Sequence, residues 1–379
     1  MKRKLGCGCL VLLVLLFFVA GPGVQFLVAL GLKPVCIAGD WPNLRIVACP
    51  EPDVVSPSSS PLPLPLPEGY KPVPVIFDDD GSPDGVIALL YFLRHPYYDV
   101  RAVTISYGEA HPEIFARRMS QFLAGLGRAE IPVGYGRATP LAGDNAFPAP
   151  WRQVSDEFWG LQLLEGTDAV EPVPAARLIA DTVSGSSQPV LVFISGSHTN
   201  LAEALRLDPR IREHIGGVQV MGGSIYAGGN IKSDWPAYDN TAAEWNIWAD
   251  PVAAGEVFAA GLPLRLTPLD ATNKVVFTQA DAAAWAASGS PEGARARELL
   301  EWMLRSWSPK GAYIWDLVAA VSATDPAMCP AKPFGLAVIV AAGPEQGRTV
   351  VTGEQPNAAV CLQPDIKQIR DRVASVLGR

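Results

Sequence analysis

Residues 73 to 94 read VPVIFDDDGSPDGVIALLYFLR and combine three patterns. The apolar run VPVIF predicts a buried strand at 73 to 77, and DGVIALLYFLR predicts a helix at 84 to 94. Four aspartates lie at the junction of these patterns: Asp78, Asp79, Asp80 and Asp84. Adjacent carboxylates repel one another unless water, hydrogen bonds or a cation offset their charge. This junction therefore predicts either a site for a hard cation or a solvated acidic turn.

The alternation of strand and helix continues along the chain. Further strands are predicted at 100–106, 131–135, 189–195, 217–221 and 262–269. Further helices are predicted at 113–126, 173–183, 200–208, 251–260 and 292–307. This order is typical of an α/β fold, Rossmann-like, with a mostly parallel central sheet and helices on both faces. Because ligands bind outside the carboxyl ends of such strands, we expect the acidic loop to line a binding site.

Composition indicates a folded protein that acts on a small molecule. The 379 residues are 49% hydrophobic and 18% charged, which is enough apolar material for a full core. The net charge of −8 lacks the basic footprint of nucleic-acid binding, so no nucleic-acid partner is predicted.

The N-terminal residues 1–33 are predicted to be a signal anchor, that is, a transmembrane helix. Lys2, Arg3 and Lys4 precede an uncharged stretch from residue 5 to 32, long enough to cross a bilayer. The positive-inside bias then keeps the N-terminus in the cytoplasm and leaves the rest of the chain outside the cell membrane, as a single-pass protein. The alternative is a cleaved signal peptide and a secreted protein, because Gly21-Pro22-Gly23 interrupts the run.

Residues 34–72 are predicted to be a cysteine-containing, proline- and serine-rich linker, followed by the folded domain at 73–379. Four cysteines follow the anchor, an even number in an oxidising compartment: Cys36, Cys49, Cys329 and Cys361. Pairing of neighbours in sequence, Cys36 with Cys49 and Cys329 with Cys361, is one of three possible connectivities.

The acidic loop by itself resembles two families. Read as Asp-x-Asp-Gly-Ser, it resembles the haloacid-dehalogenase-like phosphatases; read as Asp-x-Asp-x-x-x-Asp, it resembles the inosine-uridine type nucleoside hydrolases, whose loop runs Asp-Thr-Asp-Pro-Gly-x-Asp-Asp. Downstream segments favour the hydrolases, with matches running from about 73 to 375. The matching segments are SGSHTNLA at 195–202, VMGGS at 220–224, AEWNI at 243–247 with ADP at 249–251, PLDAT at 268–272 and Trp315-Asp316.

This resemblance implies hydrolysis of the N-glycosidic bond of a ribonucleoside by a metal-activated water. Asp80 would be a calcium ligand and the catalytic base, with Asp316 and the Thr199 main-chain carbonyl as further ligands. Asp84, Glu244 and Asn246 match positions that hold the ribose hydroxyls. Asn230 matches another sugar-contacting asparagine, and Asn240 is its rival. Members are commonly dimers or tetramers, so a homo-oligomer is left open.

The resemblance also bears on the leaving base. Trp315 stands where a purine-preferring subgroup has tryptophan, and Trp159 aligns with a base-pocket element. Two indoles would stack a purine, which predicts a purine preference. Ordinary packing in the core is the competing interpretation, because the chain has ten tryptophans.

Two positions depart from the family pattern. Gly85 stands where the family has an aspartate that usually binds calcium, and Gly108-Glu109 replaces a Gly-Asn pair. One hypothesis is that Glu109 restores the missing metal ligand from the neighbouring strand. The opposite hypothesis is that metal affinity is lost and the domain binds a ribosyl ligand without cleaving it.

Overall fold

A computed structural model describes residues 35–38, 45–48, 69–163 and 169–379. The described residues fall into two units, divided after residue 56. In the first unit, β1 (Val35–Ala38) and β2 (Arg45–Ala48) pair antiparallel. The predicted anchor at 1–33, most of the predicted linker at 34–72 and the pairing of Cys36 with Cys49 lie outside the described residues. No helix within the described ranges is long and apolar enough to span a membrane.

The second unit contains one large sheet and shorter strand pairs. Its strands in chain order are β3 (Val73–Asp79), β4 (Tyr98–Ile105), β5 (Val133–Tyr135), β6 (Val173–Pro174), β7 (Val190–Ser195), β8 (Ile215–Met221), β9 (Leu264–Thr267), β10 (Val276–Phe277), β11 (Ala312–Tyr313), β12 (Ala331–Phe334), β13 (Leu336–Val338), β14 (Thr349–Val351) and β15 (Ala358–Cys361). Nine of them form one sheet in the order β12-β15-β9-β8-β7-β3-β4-β5-β6, and all its pairings except β12 with β15 are parallel. This confirms the predicted mostly parallel sheet.

The helices are α1 (Pro83–Arg94), α2 (Pro112–Gly125), α3 (Ala149–Asp156), α4 (Ala175–Gly185), α5 (Thr199–Leu207), α6 (Ile231–Asp234), α7 (Trp245–Ala249), α8 (Pro251–Ala259), α9 (Leu269–Thr272), α10 (Gln279–Trp285), α11 (Pro291–Ser306), α12 (Trp315–Thr324) and α13 (Ile366–Leu377). They cover both faces of the sheet. Phe77 packs in one core with α1, α11, α12 and α13, whereas its neighbour Ile76 packs in a second core with α4, α5 and α8. This alternation explains why β3 is apolar at consecutive positions.

The order of the central strands positions the site. Strand β3 lies between β4 and β7, and the helices that follow β3 and β7 cover opposite faces of the sheet. A crevice therefore opens between the carboxyl ends of β3 and β7, where the chain changes direction across the sheet. Helix α1 begins at this crevice with Ser82 as its N-cap, since the Ser82 Oγ accepts a hydrogen bond from the Gly85 N–H at 2.9 Å.

A disulfide ties the antiparallel edge of the sheet. Cys329 precedes β12 and pairs with Cys361 at the end of β15, with a Cα–Cα distance of 5.6 Å, which confirms that half of the predicted connectivity. The bond closes a loop with a sequence separation of 32.

We expect the free energy of unfolding of the double variant Cys329→Ala/Cys361→Ala to be about 3 to 4 kcal/mol lower than that of the wild type, because the unfolded chain regains loop entropy. Urea denaturation followed by tryptophan fluorescence measures the change. Reduced wild-type protein should shift equally, and an unchanged midpoint in both samples would contradict the structural role of the bond.

Candidate active site

Strand β3 extends two residues further than predicted, so Asp78 and Asp79 lie in the strand and Asp80 begins the loop. One carboxylate oxygen of Asp78 accepts hydrogen bonds from Thr104 Oγ1 at 2.6 Å and from Asn200 Nδ2 at 2.8 Å. Its Oδ2 is buried and has no donor among the described residues. The Asp79 carboxylate instead accepts from the Gly81 N–H at 2.9 Å and from Ser195 Oγ at 3.0 Å. The two neighbouring carboxylates are therefore held by different elements.

Asp80 lies in a narrow space between two glycines. A Cβ at Gly108 would lie 2.2 Å from Asp80 Oδ2, and a Cβ at Gly196 would lie 2.6 Å from the Asp80 Cβ. The Glu109 N–H donates to Asp80 Oδ2 at 3.2 Å. Both glycines belong to segments that resemble the hydrolase family, and their role here is to let the neighbouring strand ends approach Asp80.

Asp84 and Asp316 meet across the starts of α1 and α12. The Asp316 N–H donates to Asp84 Oδ2 at 3.3 Å, and Ser82 Oγ lies 3.1 Å from Asp316 Oδ2. The two aspartates are 232 residues apart in sequence. The structure thus brings the early acidic loop to the late Trp-Asp pair, as predicted.

These carboxylates share one strongly negative environment. Burial raises the pKa of Asp80 well above its usual range, and the charges of Asp79 and Glu109 raise it further. Burial and the charge of Asp84 do the same to the pKa of Asp316. Burial also raises the pKa of Asp84 to about 6. Such groups are rarely tolerated without a compensating charge or a catalytic use.

Glu109 lies at the edge of this group. Its Oε1 accepts a hydrogen bond from Ser155 Oγ on α3 at 3.2 Å. Burial, together with the weaker effects of the charges of Asp84 and Asp79, raises the pKa of Glu109 to about 8. Glu109 is therefore electrostatically part of the cluster, while its role as a metal ligand stays a prediction.

Thr199 begins helix α5 on the other side of the crevice. Its hydroxyl donates to Asp250 Oδ2 at 2.8 Å, and Asp250 is the N-cap of α8. The same oxygen of Asp250 accepts the Leu141 N–H at 2.7 Å. Thr199, whose main-chain carbonyl is the predicted ligand, is thus held at the carboxyl end of β7.

Two of the predicted ribose-binding residues lie at the start of α7. Glu244 is the N-cap and is almost fully hydrogen-bonded to the backbone, accepting from the N–H groups of Gly223, Asn246 and Ile247 at 2.9, 2.9 and 3.2 Å. Burial raises its pKa to about 7. Asn246 donates from Nδ2 to the Met221 carbonyl at 3.2 Å, which leaves its carbonyl oxygen available. Glu244 is therefore also a structural residue.

The structure distinguishes the two asparagine candidates. Asn240 Oδ1 accepts from the N–H groups of Ala242 and Ala243, and its Nδ2 donates to the Gln346 carbonyl at 2.8 Å. The Oδ1 of Asn230, by contrast, is buried without a donor in the part of the chain that the structure describes. The Asn240 side chain therefore stabilises a loop, whereas Asn230 Oδ1 is available to a ligand.

The two predicted base-contacting tryptophans differ in exposure. Trp315 is half-buried, donates from Nε1 to Asn273 Oδ1 at 2.7 Å and stacks on Tyr313 with ring centroids 5.6 Å apart. Trp159 is 5% exposed and packs in the core. Trp302 and Trp307 connect them, with successive ring centroids at 6.3, 5.9 and 6.4 Å. Phe158 and Trp159 also adopt left-handed backbone angles, φ 52° and 54°, which are uncommon for aromatic residues.

Sequence reasoning missed the residues that orient these groups. Ser82, Ser195, Thr104 and Asn200 each hold one of the aspartates. Their only signal in the sequence is that serine, threonine and asparagine lie at or just after the carboxyl ends of the strands next to β3, or cap helix α1. Hydroxyl and amide donors occur in too many loops for that signal to be specific.

The donor set fits a hard divalent cation. All the groups offered are oxygens, and calcium takes six to eight of them from carboxylates, carbonyls and water. The orphaned oxygen of buried Asp78 and the raised pKa values of its neighbours show more negative charge than the local hydrogen bonds offset. No three carboxylate, histidine or cysteine side chains in the described ranges are already arranged around a common point as metal ligands. The fit therefore rests on donor chemistry and charge.

Comparison with known proteins agrees with this fold. The sequence profile of the family described as inosine-uridine preferring nucleoside hydrolase matches residues 75–371. The pyrimidine-specific ribonucleoside hydrolase RihA of Citrobacter koseri is 31% identical over 322 residues, covering 81% of this chain and 98% of that protein. The chain belongs to the inosine-uridine preferring nucleoside hydrolase family.

Solved structures show the same fold. A purine-preferring ribonucleoside hydrolase from Gardnerella vaginalis matches with a TM-score of 0.69 at 23% identity, over 80% of this chain and 99% of that one. The plant nucleoside hydrolase PpNRh1 matches with a TM-score of 0.71 at 23% identity, over 81% and 99%. Family membership confirms the predicted class of enzyme, a hydrolase of ribonucleoside N-glycosidic bonds. Because the match includes the acidic loop, it also decides against the phosphatase alternative.

Proposed function

We propose that this chain hydrolyses ribonucleosides at the crevice between β3 and β7, with Asp80 as the general base. The observation that carries the proposal is the position of Asp80, a buried carboxylate enclosed by Gly108 and Gly196 at the carboxyl end of β3, where a carboxylate can accept a proton from water. Asp80 takes a proton from the attacking water, the oxygen of which bonds to the anomeric carbon. The C–N bond breaks, and its electron pair leaves with the nucleobase.

The ribose would be held on two sides of Asp80. Asp84 accepts hydrogen bonds from ribose hydroxyls, and the free carbonyl oxygen of Asn246 supports the same sugar from α7. Asn230 is a further candidate because its buried Oδ1 lacks a donor within the described residues. Glu244 contributes mainly by fixing the start of α7. A site of this kind selects strongly for a sugar that carries the hydroxyls.

Calcium is the proposed cofactor, held by Asp80, Asp316 and the Thr199 carbonyl. When bound, it would supply positive charge that favours deprotonation of water and anchors the sugar oxygens. Other residues of the chain would position these ligands. Ser82 orients Asp316, Asp250 orients Thr199, and Gly108 and Gly196 let the neighbouring strand ends approach Asp80.

The full-length chain tests this proposal when it is incubated with inosine, uridine and a generic phosphoester, with and without a chelator. We expect free base from at least one nucleoside, none of it after chelation, and no phosphate from the ester. Nucleoside binding without hydrolysis would instead support a non-catalytic ribosyl-binding module. Release of phosphate alone would contradict the proposal outright.

Trp315 is proposed to stack against the leaving base and to favour purines. Trp315 directly precedes Asp316 in the chain, and its half-buried indole is held by Tyr313 and Asn273. Relatives differ in preference: the Citrobacter koseri enzyme is named pyrimidine-specific, and the Gardnerella vaginalis enzyme purine-preferring. A stacked purine offers more ring area than a pyrimidine, so an indole that stacks on the leaving base favours purines.

We expect Trp315→Ala to lower kcat/KM for inosine about tenfold more than for uridine. Asn273→Ala is the matched control, because it removes the hydrogen bond to Trp315 and keeps the ring. Steady-state kinetics on both substrates give the ratio. Equal losses on the two nucleosides would indicate that Trp315 has only a packing role.

A further inference from the structure

Gly85 has no room for a side chain, and the reason is Asp79. A Cβ at position 85 would lie 1.7 Å from Asp79 Oδ2 and 2.6 Å from Asp79 Cγ. Gly85 lies in the first turn of α1 and does not have a left-handed backbone, so conformation does not require glycine there. Glycine inside a helix costs about 1 kcal/mol relative to alanine. Steric exclusion by the Asp79 carboxylate explains why it is present.

The Asp79 carboxylate is fixed in that space from two sides. The Gly81 N–H donates to its Oδ1 at 2.9 Å and Ser195 Oγ donates to its Oδ2 at 3.0 Å. A carboxylate has about four lone-pair positions, so these two bonds leave others available to a ligand. Asp79 is fully buried, and its charge acts on Asp80, Asp316 and Glu109. The side chain is oriented, buried and electrostatically part of the site.

We propose that Asp79 supplies the carboxylate that position 85 lacks, so that the metal site of this chain consists of Asp79, Asp80, Asp316 and the Thr199 carbonyl. This inference rests on the proposed function, because it concerns the same calcium site. It replaces the hypothesis that Glu109 restores the missing ligand, because the Asp79 carboxylate already occupies the space that a side chain at position 85 would fill.

The steric contact makes the two positions mutually exclusive. An aspartate at 85 cannot coexist with the present Asp79 conformation, because its Cβ would overlap the Asp79 carboxylate. The single variant Gly85→Asp should therefore be destabilised, whereas Asp79→Thr/Gly85→Asp should accept the new carboxylate. Additive effects at the two positions would be inconsistent with direct contact.

Isothermal titration of calcium into the chelator-treated full-length chain tests the inference without relying on activity. Loss of residues that only support metal ligands costs about 10- to 100-fold in affinity, so loss of a ligand should reach about 100-fold or more. We expect this loss in Asp79→Asn, a loss below tenfold in Glu109→Gln, and recovery in Asp79→Thr/Gly85→Asp relative to Asp79→Thr. Asp99→Asn, at the opposite end of the neighbouring strand, should bind as the wild type does.

A second pair of variants covers the case in which Asp79→Asn fails to fold. Gly85→Ala displaces the Asp79 carboxylate without removing it and should weaken calcium binding. Gly185→Ala is its control, because a Cβ there meets nothing within 4 Å. Wild-type affinity in Asp79→Asn or in Gly85→Ala, or no recovery in the double variant, would overturn the inference. Base release by the wild type is assayed separately, so failure of the proposed function remains distinguishable.

Discussion

The variant Asp80→Asn should lose about 10²- to 10⁴-fold in kcat at saturating calcium and nucleoside, because asparagine keeps the shape of the side chain and cannot accept the proton of water. Asp80 is buried and enclosed between Gly108 and Gly196. Saturating calcium separates the loss of the base from any loss of metal affinity. Steady-state base release measures the effect.

The matched control for this variant is Asp99→Asn, which removes a half-exposed carboxylate at the amino end of β4. It should retain wild-type kcat, and both variants should keep the wild-type circular dichroism spectrum. If Asp80→Asn kept kcat within about tenfold of the wild type while folded, another group would have to be the base.

Calcium should stabilise the protein more at pH 8 than at pH 5. Burial raises the pKa of Asp78 to about 7, and that of Asp79 and Glu109 to about 8. The folded state therefore binds protons that the unfolded state has released, so stability is highest near pH 4 and falls as pH rises toward 8. A bound cation opposes this loss by favouring the ionised carboxylates.

Thermal unfolding of the chelated protein between pH 5 and pH 8 measures the slope of the unfolding midpoint temperature against pH. We expect the midpoint to fall by about 5 °C or more between pH 5 and pH 8, and excess calcium to restore most of it at pH 8. Asp316→Asn removes one of the repelling charges and should flatten the slope. A chelated protein whose midpoint rises with pH would contradict the buried-carboxylate account.

Much of the fold could be predicted from the sequence. The central strands are continuous apolar runs, and the predicted strands from 73–77 to 262–269 each overlap an observed strand. The antiparallel edge was missed because β12 and β15, AKPF and AAVC, are short and weakly apolar. The last helix, α13, was also missed, although Ile369, Val373 and Val376 are buried at helical spacing. Strong local patterns specified the centre of the sheet, and tertiary pairing specified its edge.

The candidate site was predictable for residues that follow a strand and less so for their orientation. Asp80 and Thr199 come together because the carboxyl ends of the parallel strands β3 and β7 meet at one edge. Asp316 reaches the same site from the first turn of α12. From the sequence alone Gly85 is a position without a ligand, and the fold places the Asp79 carboxylate in the space of its missing side chain. Which of two adjacent aspartates turns toward which helix depends on the end of β3, and strand ends are poorly determined by local sequence.

The most direct test of the central claim is the fate of water oxygen during turnover. The full-length chain is incubated with inosine or uridine and calcium in water enriched in oxygen-18, and the products are analysed by mass spectrometry. Hydrolysis at the anomeric carbon predicts equal amounts of ribose and unlabelled free base. It also predicts one labelled oxygen in ribose that is reduced with borohydride at early times, before its C1 oxygen exchanges with the solvent. Intact nucleoside after prolonged incubation, or ribose without the label, would contradict the assignment of this chain as a nucleoside hydrolase.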